Sequence, residues 1–71
     1  MNRIDTSGLS CPEPVIMTKK AIASSREGLD VIVDNRASLE NVTRYAEALE
    51  YRVERIKEGP SSWRLEIRKW L

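Results

Sequence analysis

The sequence contains no histidine, one cysteine, three glycines, three prolines and only four aromatic residues in 71 positions. Without histidine there is no imidazole base, no Ser-His-Asp triad and no imidazole metal ligand. A single cysteine can neither close an intramolecular disulfide nor supply a multi-cysteine zinc or iron–sulfur site. No apolar run approaches a membrane span, and Met1-Asn2-Arg3-Ile4-Asp5 lacks the apolar stretch of a signal segment. Neither sign of charge dominates. Twelve Lys plus Arg against eleven Asp plus Glu leave +1, which gives no field strong enough to steer a polyanion, so nucleic acid is not the expected partner.

What is present fits one small domain covering residues 1–71. Apolar residues at 41% can fill a core and charged residues at 32% can cover it. With neither disulfide nor metal to staple it, a chain of this size depends on one well-patterned core. A lone thiol without a signal segment predicts a reducing, cytoplasmic setting.

Arg3-Ile4-Asp5 predicts a short first strand ending at the turn formers Thr6-Ser7-Gly8. Leu9-Ser10-Cys11-Pro12-Glu13-Pro14 reads as a helix entry, because proline fits the first turn, where its missing N–H matters least. The helix is expected to run through Val15, Ile16, Met17, Ala21 and Ile22 to about Ser25, with Gly28 as its stop signal. Leu29 to Asp34 is β-branched and apolar, with Leu29, Val31 and Val33 on one face and Ile32 on the other, as an interior strand requires. Leu39, Val42, Ala46 and Leu49 recur at spacings of three and four, which predicts an amphipathic helix with Ser38 as N-cap and an end near Glu50. Tyr51 to Lys57 is strand-like, with a slip between Val53 and Ile56 that suggests a bulge. Gly59-Pro60-Ser61-Ser62 is a turn, and Trp63, Leu65 and Ile67 then alternate with Arg64, Glu66 and Arg68. The order β-α-β-α-β-β, with one helical crossover and a closing hairpin, predicts a two-layer α/β sandwich.

Cys11 is the one residue with chemistry to weigh. By default a free cysteine is a small buried hydrophobe. Here it adjoins a helix N-terminus, where unsatisfied N–H groups and the dipole favour an anion and lower a thiol pKa. Pro12 and Pro14 remove two backbone donors from that turn and stiffen it, leaving the Glu13 N–H nearest to the sulfur. The Glu13 carboxylate opposes activation, and Lys19 and Lys20 lie about 12 Å further along the helix. The residues alone leave a reactive and an inert thiol both open. If reactive, the thiol has no histidine to make a hydrolase nucleophile and no second cysteine to make a dithiol oxidoreductase. A group carrier, which needs neither, is the chemistry that remains.

Asp5-Thr6-Ser7-Gly8-Leu9-Ser10-Cys11-Pro12-Glu13-Pro14 resembles the D-x-x-G-L-x-C-P-x-P pattern of the TusA/SirA family of small sulfur carriers at every defining position. The likeness continues through Val15-Ile16 and Lys19-Lys20. Val33-Asp34-Asn35 and Asn41-Val42 resemble the TusA-like N-terminal domain of YedF-type proteins, which are associated with selenium metabolism. The resemblance implies a four-stranded mixed sheet with two helices on one face. It implies a sulfurtransferase-type carrier in which Cys11 takes up sulfane sulfur as a persulfide and passes it on, for tRNA thiolation or another pathway. Gly8, Pro12, Glu13 and Pro14 would form the turn around the sulfur, and Asp5 would support it. The implied partners are a sulfur-donor protein, such as a cysteine desulfurase or a rhodanese, and a sulfur-acceptor protein, with no membrane, metal or organic cofactor. YedF-type proteins usually carry a second, DsrE-like domain that this sequence does not include, and Glu50 stands where relatives often have glycine.

The rival reading is a non-catalytic protein- or RNA-binding regulatory module. It would use a basic strand face built from Arg52, Arg55, Lys57, Arg64, Arg68 and Lys69. The interleaved Glu54, Glu58 and Glu66 argue instead for solvated strand positions. Trp63 continues the core face of the last strand, whereas Trp70 falls on the opposite phase and is expected at the surface. Asp34, at a strand end, is expected close to Cys11, since strand C-termini and helix N-termini share an edge in a parallel sheet.

Overall fold

The computed structural model describes residues 2–9, 13–25 and 27–69. Six elements follow one another: β1 (Asn2–Asp5), α1 (Glu13–Ser24), β2 (Gly28–Val33), α2 (Arg36–Ala48), β3 (Tyr51–Gly59) and β4 (Ser62–Lys69). The strands form one sheet in the order β1-β2-β4-β3. β1 and β2 are parallel, and β4 runs antiparallel to both β2 and β3. The sheet is therefore mixed, and α1 is the crossover that a parallel pair requires.

Alternation places the core. Leu29, Val31 and Val33 pair with Ile67, Leu65 and Trp63 across β2 and β4, and all but Trp63 are fully buried. Ile22 of α1 and Leu39, Val42 and Ala46 of α2 complete the same cluster, so both helices lie on one face. Asp30, Ile32, Arg64, Glu66 and Arg68 alternate onto the other face. The fold is the expected two-layer α/β sandwich. Trp63 sits at the margin of the core, half-buried, with the Lys57 ammonium 5.4 Å from its ring centroid. Trp70 lies outside the described residues.

Three local expectations are corrected. α2 begins at Arg36, and its N-cap is Asn35, not Ser38. Asn35 is extended, and its Oδ1 accepts the Ser38 N–H at 2.8 Å. Asparagine and serine cap comparably well, so composition could not choose between them. Ser38 is instead buried in the first turn, and its hydroxyl has no hydrogen-bond partner among the described residues.

The bulge falls between Lys57 and Gly59, beside the hairpin, while the register through Val53 and Ile56 is unbroken. Val53 faces the helices and Ile56 the opposite side. Both fit because β3 is an edge strand with neither face fully covered.

Gly28 is not the stop of α1 but the first residue of β2, with φ +135°. A Cβ there would run into the Ile67 carbonyl oxygen, so the close approach of β4 requires glycine. The end of α2 falls near Glu50 as expected, at Ala48 with Leu49 as C-cap, and Glu50 takes the left-handed conformation usual for glycine, with φ +67°.

Candidate functional site

The C-terminal ends of β1 and β2 and the N-termini of α1 and α2 share one edge of the sheet, the geometry that gives parallel α/β folds their sites. The loop leaving β1 is tied to the end of β2 at three places. Thr6, fully buried, donates its N–H at 2.9 Å and its hydroxyl at 2.6 Å to the Ile32 carbonyl. The Gly8 N–H donates to Asp34 Oδ2 at 2.7 Å. Asn35 Nδ2 donates to the Leu9 carbonyl at 3.3 Å and to Asp34 Oδ1 at 3.2 Å.

Within the loop, the Leu9 N–H closes a turn onto the Thr6 carbonyl at 3.0 Å, and Gly8 supplies the positive φ of +85° that the turn needs. Asp5 Oδ1 accepts the Ser7 N–H at 2.9 Å. Bonds from Ser7, side chain first and backbone second, with the nearby Arg3, hold the Asp5 carboxyl below its ordinary value of 3.8.

Beyond the loop, α1 starts at Glu13, whose exposed carboxylate lies in the first turn. Pro14 occupies the second helical position and is buried, so its ring anchors the helix start while its missing N–H costs nothing. Its carbonyl accepts the hydroxyl of buried Thr18 at 2.8 Å.

Of the sequence-predicted site residues, Gly8, Glu13 and Pro14 are therefore found at this edge, with Asp5 and Asp34. Cys11 and Pro12 lie outside the described residues. Asp34 bonds to the loop three residues before Cys11. Sequence reasoning missed Thr6 and Asn35 as the other two ties. Asn35 was legible as a helix cap by residue type, but its second role depends on a loop 26 positions away. Among the described residues no three His, Cys, Asp or Glu side chains converge closely enough to hold a metal ion. No described helix is long and apolar enough to cross a membrane.

The six cations of the last two strands do not form one face. Register puts Arg52, Arg64 and Arg68 on the open side of the sheet, and Arg55, Lys57 and Lys69 on the helix side. Several are also neutralised in place. Arg64 lies 2.7 Å from Glu58 and 3.3 Å from Glu66, Arg68 lies 3.0 Å from Asp30, and Arg55 lies 3.5 Å from Glu40. The basic strand face expected under the rival reading is thus split and paired, because alternation sends neighbouring strand residues to opposite sides.

Comparison with known proteins agrees with this geometry. The family model described as sulfurtransferase TusA matches residues 2–69. A Methanocaldococcus jannaschii protein, provisionally named a sulfur carrier protein, is 41% identical, with 97% of this chain and 95% of that protein aligned. A Thermotoga maritima protein with the same provisional name is 34% identical over 92% of this chain and 86% of its own length. The crystal structure of a SirA-like protein from Desulfitobacterium hafniense superposes with a TM-score of 0.86. It covers 96% of each chain at 35% identity.

Proposed function

Since the chain belongs to the TusA sulfurtransferase family, a family of sulfur carriers, we propose that Cys11 is its sulfur acceptor and that the sulfur travels as a persulfide. The Cys11 thiolate attacks the outer sulfur of a donor persulfide. A Cys11–sulfur bond forms, the donor's sulfur–sulfur bond breaks, and the donor leaves as a thiolate. The acceptor's nucleophile then attacks the outer sulfur held on Cys11 and releases the Cys11 thiolate. Each step exchanges one sulfur bond for another, so neither needs an outside oxidant or reductant. The donor is a persulfide-bearing protein such as a cysteine desulfurase or a rhodanese, and the acceptor a second protein. The relay requires a reduced Cys11 and so a reducing compartment, the cytoplasm.

The observation that carries this reading is the pinned loop, with Gly8 tied to Asp34 and Leu9 to Asn35. A carrier that meets two partners in turn benefits from a thiol presented from fixed backbone. Gly8 and Pro14 shape that backbone, and Glu13 offers its N–H at the helix start.

Intact-protein mass spectrometry tests the proposal, after incubation with a cysteine desulfurase and cysteine. Wild type should gain the mass of one sulfur atom, removable by reductant, and Cys11→Ser should gain none. Arg64→Glu and Arg68→Glu should load like wild type. A wild type that stays unloaded with several donors would refute the assignment.

A further inference from the structure

We infer that the free edge of β3 pairs with β3 of a second copy of this chain, antiparallel about a two-fold axis at Val53. The two four-stranded sheets then become one continuous sheet. β3 is nine residues long and ends the sheet, with β4 on one side only. Arg52, Glu54 and Arg55 are exposed and Val53 is half-buried. An edge strand of this length presents unpaired backbone N–H and C=O groups along its outer side. The pairing is independent of the role of Cys11.

Charge selects the occupant. On its paired side, Arg52 stands opposite Arg68 and Glu54 opposite Glu66, and like charges directly opposite weaken a ladder. Arg68 and Glu66 pair instead with Asp30 and Arg64. The outer side of β3 reverses the pattern. About a two-fold at Val53, Arg52 of each copy faces Glu54 of the other, Val53 faces Val53, and Tyr51 faces Arg55. The two Arg–Glu pairs fall on the open side of the sheet and the Tyr51–Arg55 pairs on the helix side, where a guanidinium stacks favourably on an aromatic ring. Arg52 is also engaged within its own chain, and a guanidinium has donors enough for a second carboxylate.

Every other axis inside the strand is penalised. An axis at Arg52, Glu54, Arg55, Lys57 or Glu58 sets that charge against itself, and one at Ile56 sets Glu54 against Glu58 and Arg55 against Lys57. The other edge strand, β1, has only four residues. Its pairing with β3 of another copy would be head-to-tail and grow without closing, whereas the β3–β3 contact closes at two. The ladder from Tyr51 to Arg55 is smaller than the interfaces of stable complexes, so the dimer is weak and forms at high concentration. The candidate site lies on the β1–β2 side of the sheet and stays open in both copies.

Sedimentation equilibrium of the full chain, from about ten micromolar to about one millimolar, reads the association. Wild type should move from the mass of one chain toward that of two and no further. Arg52→Glu or Glu54→Arg turns both unlike pairs into like pairs and should weaken dimerisation about tenfold or more. Circular dichroism melts check that each variant folds. The Arg52→Glu/Glu54→Arg double variant restores both unlike pairs and should dimerise like wild type. An equimolar mixture of the two single variants should do the same, as a heterodimer. Amide hydrogen exchange needs no variant, and exchange along β3 should slow as the wild-type concentration rises. A wild type that stays monomeric across the range, or grows past two, overturns the inference. So does a dimer that neither reversal weakens, or one that leaves β3 exchange unchanged.

Discussion

Thr6 gives two hydrogen bonds to one acceptor, the Ile32 carbonyl, from its backbone at 2.9 Å and its hydroxyl at 2.6 Å. The backbone bond continues the pairing of β1 with β2 by one residue, and the hydroxyl reinforces it where the chain turns away. Both groups are buried, so removing the hydroxyl exposes nothing to water that could replace it. Thr6→Val preserves shape and leaves the carbonyl its backbone partner. It should cost about 1 kcal/mol, read as a lower urea midpoint with an unchanged slope.

The glycines at positive φ differ in what surrounds them. At Gly8 a Cβ would meet nothing within 4 Å, so Gly8→Ala carries only the conformational penalty, about 1–2 kcal/mol. At Gly28 a Cβ would collide with the Ile67 carbonyl oxygen and lie 3.2 Å from the Arg68 Cα, both backbone atoms of the paired strand. Gly28→Ala should therefore cost more than Gly8→Ala. For a small domain with about 5 kcal/mol of total stability, it should leave a large unfolded fraction. Circular dichroism melts of the two variants check the order.

Glu50 is the reverse case, a residue with a Cβ in a conformation that favours glycine. Glu50→Gly relieves that strain at the end of α2, partly offset by the greater freedom of glycine in the unfolded chain. It should stabilise the protein by about 0.5–1 kcal/mol. A melt that falls or stays fixed would contradict this.

The buried Ser38 hydroxyl has no hydrogen-bond partner among the described residues. Ser38→Ala removes it and improves helix propensity, while the capped N–H is kept. The variant should match wild type or exceed it by about 0.5 kcal/mol in urea denaturation.

The Asp5 carboxyl is held below its ordinary value by Ser7 and Arg3. A depressed folded-state pKa adds stability above the unfolded value of 3.8, and that stability disappears as pH falls through the lower folded value. Asp5→Ala should melt below wild type at neutral pH. The gap should hold down to about pH 4 and narrow as the solution becomes more acidic.

Much of the architecture was legible in periodicity. Leu29, Val31 and Val33 marked an interior strand by alternation, and Leu39, Val42 and Ala46 marked a buried helix face by spacing. The ten-residue run from Asp5 to Pro14 carried the family resemblance, and the family match over residues 2–69 agrees with it. Details decided by one residue's neighbours were not legible. Asn35 rather than Ser38 caps α2, since both residue types cap well and only the path of β2 selects one. The bulge moved to the hairpin because register is fixed by pairing with β4.

The sequence by itself determined the element order and the core faces. These follow from local spacing, which each segment carries within itself. Only the tertiary structure decided that Thr6, Gly8 and Leu9 would be tied to Ile32, Asp34 and Asn35, and that six cations would be split between two faces. Such contacts join residues far apart in the chain. Their energies become available only once burial of the core has brought the strands into register.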